Sequence, residues 1–326
     1  MANEYHLINA STSLPTQPAM PRQSSIAAPH LPLWRSIMFV PAISERFIAS
    51  ALLQSGEQRA DLLQIDLEDS VAPAQKDEAR AGVRATAATF AATGRAVSVR
   101  VNRPWRLLVR DLEAVVCAAV QAIALPKVPD ASFVCSVAEV LDELEREHGL
   151  IRGHTRIIAM VEDAEGLHHM DAIAAAHPRM VGLIVGAEDL AVALRMAVDD
   201  DSLYTPNVMA VVAARRAGIL PIGFIGSVAD FKDQDIFRAR IRRARRLGFE
   251  SAFCVHPTQV TILNQEFAPS AAEVDFARGL VAAFDASVAS GKAAFTYQGR
   301  MVDLPVVEQS RQVLARDAQV RGGSGN

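Results

Sequence analysis

From Arg35 onward the chain alternates short apolar runs of Val, Ile and Leu with longer Ala-rich stretches whose apolar residues recur every three to four positions. Runs of the first kind read as strands and stretches of the second as amphipathic helices. The strand candidates are Ser36 to Val40, Leu62 to Glu68, Val97 to Asn102, Ala122 to Val128, Ile157 to Glu162, Gly182 to Gly186, Pro221 to Ile225 and Ala252 to His256. Between them Ser44 fits a helix N-cap, Pro73 opens a helix, and Gly56, Gly149 and Gly218 stand at helix ends. Eight strand-helix units over residues 34–268 predict an α/β fold, a (β/α)8 TIM barrel, rather than an open sheet of about five or six strands.

Polar residues in these strands keep to one parity. Gln64, Asp66 and Glu68 alternate with Leu63, Ile65 and Leu67, and Ser98, Arg100 and Asn102 alternate with Val97, Val99 and Val101. A barrel strand points successive side chains inward and outward, so the acids and the arginine face the interior. Charge there is costly unless paired or bound, which marks these strand ends as functional. Asp69 follows directly, with Lys76 and Arg80 available as ion partners, and Glu68 is a candidate partner for Arg100.

Fifth and sixth strands end in Glu162-Asp163 and Glu188-Asp189. Adjacent strands lie about 4.8 Å apart, so one carboxylate from each can reach a single cation. With no converging His or Cys, the donors suit a hard ion such as Mg²⁺, with Mn²⁺ as a substitute. Pattern alone does not separate Glu162 and Asp189 from Asp163 and Glu188, which equally suit helix N-termini.

Flanking the barrel, residues 1–33 are rich in Ser, Thr, Pro and Gln without period and read as a flexible extension, as does the tail 321–326. Residues 269–320 hold a long helical stretch and the segment Lys292 to Pro305, which has no place in a barrel and is expected to cover something. The formal charge of −4 offers no field for nucleic acid. Three scattered cysteines, Cys117, Cys135 and Cys254, suit a reducing compartment, and with no apolar run of membrane-spanning length and no signal-like start the expected location is cytoplasmic.

Several segments together resemble the HpcH/HpaI aldolase and citrate lyase β-subunit family, in its CoA-ester lyase branch. They begin with Arg35-Ser36 and Phe39-Val40-Pro41, continue through Asp66-Leu67-Glu68-Asp69-Ser70-Val71 with Lys76 and Arg80, and include Val99-Arg100-Val101-Asn102 and Leu125-Pro126-Lys127-Val128. Glu162 with Gly166, Gly186 through Leu190, Val255-His256-Pro257 with Gln259-Val260, and Gly299-Arg300-Met301-Val302-Asp303 with Pro305 complete the order. The resemblance implies Glu162 and Asp189 as Mg²⁺ ligands, with Glu68 and Asp69 acting through water. It implies Arg100 facing a thioester oxygen, Asp303 as an acid/base from the lid, residues 269–320, of a neighbouring subunit in a trimer or hexamer, and Gly186, Ala187, Glu188, His256 and Pro257 binding substrate. The implied reaction is reversible cleavage of a 3-hydroxyacyl-CoA, such as malyl-, citramalyl- or citryl-CoA, into an acetyl thioester and a 2-oxo acid. Ala42, Ala252 and Ile222-Gly223-Phe224-Ile225-Gly226-Ser227 depart from the family pattern and leave the acyl group open.

Other readings stand beside this one. Lys127 would serve as a Schiff-base lysine in a metal-independent aldolase. His256 is either a general base or a structural residue. The arginines from Arg238 to Arg246 form either a solvated face paired with Asp233 and Asp235 or a phosphate clamp, and the Gly223 to Ser227 turn lies where barrels often hold phosphate. A CoA-independent aldolase of 4-hydroxy-2-oxo acids, or a non-catalytic CoA-ester-binding subunit, are the alternative functions.

Overall fold

The computed structural model describes residues 31–289 and 295–323. Most of the N-terminal extension, the start of the lid segment including Lys292, and the last three residues lie outside them. Eight parallel strands, β1 (Ser36–Pro41), β2 (Leu62–Asp66), β3 (Ala96–Arg100), β4 (Ala122–Leu125), β5 (Arg156–Val161), β6 (Met180–Val185), β7 (Leu220–Pro221) and β8 (Ala252–Cys254), form one curled sheet in the order 7-6-5-4-3-2-1-8. The open edges meet where Ile222 bridges Ser251 and Gly223 N donates to Ser251 O at 2.8 Å. Helices connect the strands, as a parallel sheet requires.

Strand parity sorts the side chains. Val40, Leu63, Ile65, Val97, Val99, Ile123, Ala159, Leu183 and Cys254 join one apolar core with helix residues such as Val83, Phe90, Leu112, Leu141 and Ile241. Each Val, Leu, Ile or Phe side chain among them contributes about 1.5–3 kcal/mol by leaving water. The opposite parity, Phe39, Gln64, Ser98, Arg100, Met160, Ile184 and Phe253, faces the barrel interior, where Ser98 Oγ donates to Gln64 Oε1 at 3.0 Å. Low in the barrel a Cβ on Gly182 would stand 2.5 Å from Ile222 Cδ1, so glycine there makes room for the closing strand.

Observed strands stop earlier than the apolar pattern predicts. β2 ends at Asp66, which puts Glu68 on the following loop, and β7 is two residues long where Pro221 to Ile225 was expected. At the mouth the backbone leaves the ladder to aim polar side chains at one another, while composition stays strand-like. Gly223 and Gly226, at φ +139° and +138°, turn the chain away after β7.

Beyond the barrel, helices Ala271–Ala289 and Leu304–Gly323 pack on each other around Leu280, Val302 and Val307. Between them Phe295–Tyr297 and Arg300–Val302 form an antiparallel hairpin. The second helix continues through Arg321 to Gly323, where the sequence read the start of a flexible tail. No helix of the described residues is long and apolar enough to cross a membrane.

Candidate active site

A cavity of about 570 Å³ opens at the C-terminal ends of the strands, lined by Phe39, Asp66, Asp69, Arg100, Met160, Glu162, Ile184, Gly186, Glu188, Asp189 and Phe253 among others. Its floor is apolar and its rim is charged.

On one side stands Arg100. The pairing of β2 with β3 sets Asp66 directly opposite it, and Arg100 Nε and Nη2 donate to Asp66 Oδ1 and Oδ2, each at 2.8 Å. This bidentate fork fixes the plane of the guanidinium. Asp66 also accepts from Glu68 N at 2.9 Å and Ser70 N at 3.1 Å, so one carboxylate holds both the arginine and the loop bearing Glu68 and Asp69. Burial raises the Asp66 pKa, but the hydrogen bonds and charge of Arg100 outweigh it and hold the carboxyl below its usual range. Arg100 Nη1 lies 2.9 Å from Glu68 Oε2 and 3.3 Å from Asp69 Oδ2, and its guanidinium sits 5.0 Å over the Phe39 ring, itself stacked on Phe253. The Glu68 contact is an ion pair without hydrogen-bond geometry, so Glu68 Oε2 is buried with no donor.

Opposite are Glu162, at the end of β5, and Asp189, in the first turn of the helix after β6. Glu162 Oε2 accepts from Lys127 N at 2.7 Å, and Lys127 Nζ lies 3.6 Å from Glu68 Oε1 and 3.4 Å from Asp189 Oδ2. Desolvation, with Asp69 and Asp66 nearby, pushes the Glu68 carboxyl up to about 7 against the pull of Arg100 and Lys127. Glu162 is likewise pushed up to about 7 by desolvation and by the charge of Glu68. Desolvation lowers the Lys127 pKa, yet Glu68, Asp189, Glu162 and Asp69 together hold it above the ordinary lysine value.

The residues present fit a hard divalent cation. The donors are carboxylates, two of them pushed up to about 7 by burial first and by neighbouring acids second, and a Cβ on Gly186 would stand 2.5 Å from Glu162 Cγ, so that glycine preserves the cradle. Among the described residues no three His, Cys, Asp or Glu side chains cage an ion by themselves. A cation held by Glu162 and Asp189 would therefore keep positions for water and substrate.

Other expected residues fall elsewhere. Gly186, Ala187 and Glu188 line the cavity, with Glu188 accepting from Ser227 Oγ, whereas His256 and Pro257 do not line it. His256 instead caps helix Pro257–Glu266, its Nδ1 bound to Thr258 at 2.8 Å and its ring stacked on Phe231 at 5.0 Å; the neighbouring Val255 reaches the cavity. Asp163 caps the helix after β5 by accepting from Gly166 N at 2.8 Å. Asp303 is exposed at the start of the last helix, accepts from Val306 N at 3.4 Å, and is absent from its own chain's cavity.

Lys76 and Arg80 do not pair with Asp69. Lys76 Nζ donates to the carbonyls of Leu67 and Glu68 at 2.7 and 2.5 Å, bracing the loop, and Arg80 binds Asp111, which also holds Asn102. Along helix Gln234–Leu247 Arg238 and Arg242 pair with Glu266, Arg243 with Asp200, Arg245 with Glu273 and Arg240 with Asp230, all on neighbouring segments, while Asp233 caps the helix itself. Three contributors escaped the sequence reading: Asp66 as the clamp on Arg100, Phe39 beneath it, and Lys127 as an ion partner. Asp66 shared the inward parity of Arg100, which was the available signal.

Residues 35–257 match the HpcH/HpaI aldolase/citrate lyase family. The chain belongs to this family. It is 33% identical over 306 residues to an L-malyl-CoA/beta-methylmalyl-CoA lyase of Cereibacter sphaeroides, covering 86% of this chain and 92% of that one. To the citrate lyase subunit beta of Escherichia coli it is 32% identical over 287 residues, with the same coverage of both chains. The crystal structure of the CitE protein of Mycobacterium tuberculosis, in complex with magnesium, acetoacetate and coenzyme A, is similar with a TM-score of 0.65 and 29% identity, covering 87% of this chain and 97% of that one.

Proposed function

We propose that this protein is a divalent-metal-dependent carbon-carbon lyase that cleaves or forms a 3-hydroxyacyl-CoA, exchanging it with an acetyl thioester and a 2-oxo acid in the cytoplasm. The observation that carries this reading is the mouth of the barrel, where the acids Glu162 and Asp189 stand across from a guanidinium clamped by Asp66. Glu162 and Asp189 would hold Mg²⁺ or Mn²⁺. Bound there, the ion would supply Lewis-acid charge for the carboxylate and keto oxygens of the 2-oxo acid.

The chain's own groups do the rest. In the cleavage direction the bond between the carbinol carbon and the thioester α-carbon breaks, and its electron pair moves to the thioester oxygen. Arg100, fixed before the reaction, meets that charge without reorganisation, which is where a preorganised donor contributes most. Asp69 lines the same cavity and Glu68 lies beside it against Arg100, and the two would take the hydroxyl proton through water. Asp303 of a second copy would protonate the new carbanion, or remove a methyl proton in the condensing direction. Support for a second copy is the exposure of Asp303 outside its own cavity.

The Schiff-base alternative has Lys127 against it, because its ammonium lies 3.6 Å from Glu68 and 3.4 Å from Asp189 and is held above the ordinary lysine pKa, which keeps it charged and non-nucleophilic. The deciding experiment assays the purified chain with Mg²⁺ against malyl-, citramalyl- and citryl-CoA, each stereoisomer separately. Release of acetyl-CoA from one of them, abolished by EDTA and by Glu162→Gln, is expected. No turnover of any ester, or turnover indifferent to EDTA, would overturn the reading.

A further inference from the structure

We infer that Lys127 is a built-in counter-cation that sets how tightly the carboxylates at the barrel mouth hold a divalent ion. The inference rests on the metal reading above and concerns one residue's effect on it. Lys127 reaches the acid cluster twice: its backbone N–H fixes Glu162 at 2.7 Å, and its ammonium lies 3.6 Å from Glu68 and 3.4 Å from Asp189. To do both it adopts φ +51°, a left-handed conformation that only three non-glycine residues adopt among those described and that disfavours any side chain with a Cβ. The surroundings hold it there because the backbone bond fixes Glu162 while the ammonium pairs with Glu68 and Asp189, three members of one acid cluster.

A divalent ion gripping Glu162 and Asp189 draws on the charge that Lys127 already partly neutralises. Either the ammonium withdraws, giving up two ion pairs, or it stays and repels the ion; both loosen metal binding. With its side chain 37% exposed, Lys127 has an exit to solvent, so withdrawal is open to it. The same charge keeps Glu68 and Asp189 from driving each other apart when metal is scarce. Lys127 thus exchanges affinity for a site that stays assembled and releases its ion readily.

The test is titration of the full-length protein with Mn²⁺, followed by calorimetry and by the Mn²⁺ electron paramagnetic resonance signal, with unfolding temperatures recorded in EDTA. Lys127→Met should bind Mn²⁺ about tenfold more tightly than the parent while melting at a lower temperature in EDTA. Lys127→Gln, which also removes the charge, should move the same way, and Lys127→Arg should stay within about threefold of the parent. Unchanged or weaker binding in both uncharged variants, with the parent binding normally, would overturn the inference and leave the metal reading standing. A parent chain that binds no Mn²⁺ would overturn both.

Discussion

Asp66 has the highest leverage of any side chain at the mouth, since it accepts four hydrogen bonds that reach both the arginine and the acid loop. Asp66→Asn keeps the size but loses the charge and one acceptor oxygen, so Arg100 turns toward Glu68. Steady-state kinetics should show kcat lowered about 100-fold with KM for the CoA ester changed far less, the signature of a group that acts only as charge develops. Equal loss through KM would place Asp66 in substrate binding. Gly186 gives a second case. Alanine there drives its Cβ into the Glu162 carboxylate, and calorimetric Mg²⁺ affinity should fall about 10–100-fold with the fold retained.

At the scale of elements, the N-terminal rim of the barrel is held by a buried network remote from the cavity. Arg179, just before β6, donates to Glu145 Oε1 and Oε2 at 2.7 and 2.6 Å and to Asp142, tying helix Ala131–Glu147 to the sheet, and Glu145 also accepts from Gly153 N and Thr155 N. Burial would raise the Glu145 and Asp142 pKa values, but these bonds outweigh it and hold both below their usual range. A depressed carboxyl stabilises the fold at pH above its unfolded value and loses that contribution as pH falls through its folded value. Urea midpoints should therefore drop between pH 5 and pH 3, and the drop should shrink in Glu145→Gln. At pH 7 that variant should lose about 3 kcal/mol, because Arg179 stays buried with fewer partners. A variant with the parent's pH profile would show that other groups govern acid unfolding.

For the whole molecule the question is how Asp303 meets Arg100. If Asp303 serves a neighbour, Asp303→Asn and Arg100→Met chains are each inactive alone, yet mixed after partial denaturation and refolding they form some complete sites. Recovery of activity well above either parent variant, together with an oligomer by light scattering, is the expected outcome. A mixture no more active than its components would return Asp303 to its own chain or remove it from the reaction.

The strand-helix count, the barrel and the inward parity of Asp66, Glu68 and Arg100 were legible in the chain, because alternation and period are local properties of a backbone, whereas the choice of Glu162 and Asp189 over Asp163 and Glu188 came from the family resemblance. Strand ends were overextended at β2 and β7 since the apolar run outlasts the ladder where side chains turn to the mouth. His256-Pro257 read as a site motif, and the fold uses it as a helix cap that leaves Val255 facing the cavity. Pairing partners were the least legible: Arg100 with Asp66, Arg80 with Asp111 and Lys127 with Glu68 are separated by 31 residues or more, and each depends on sheet register or loop closure. Sequence by itself determined which residues could be charged, apolar or turning and how often; the closing of the barrel decided which charges meet, because electrostatic pairing depends on distance in space and the chain specifies only distance along itself.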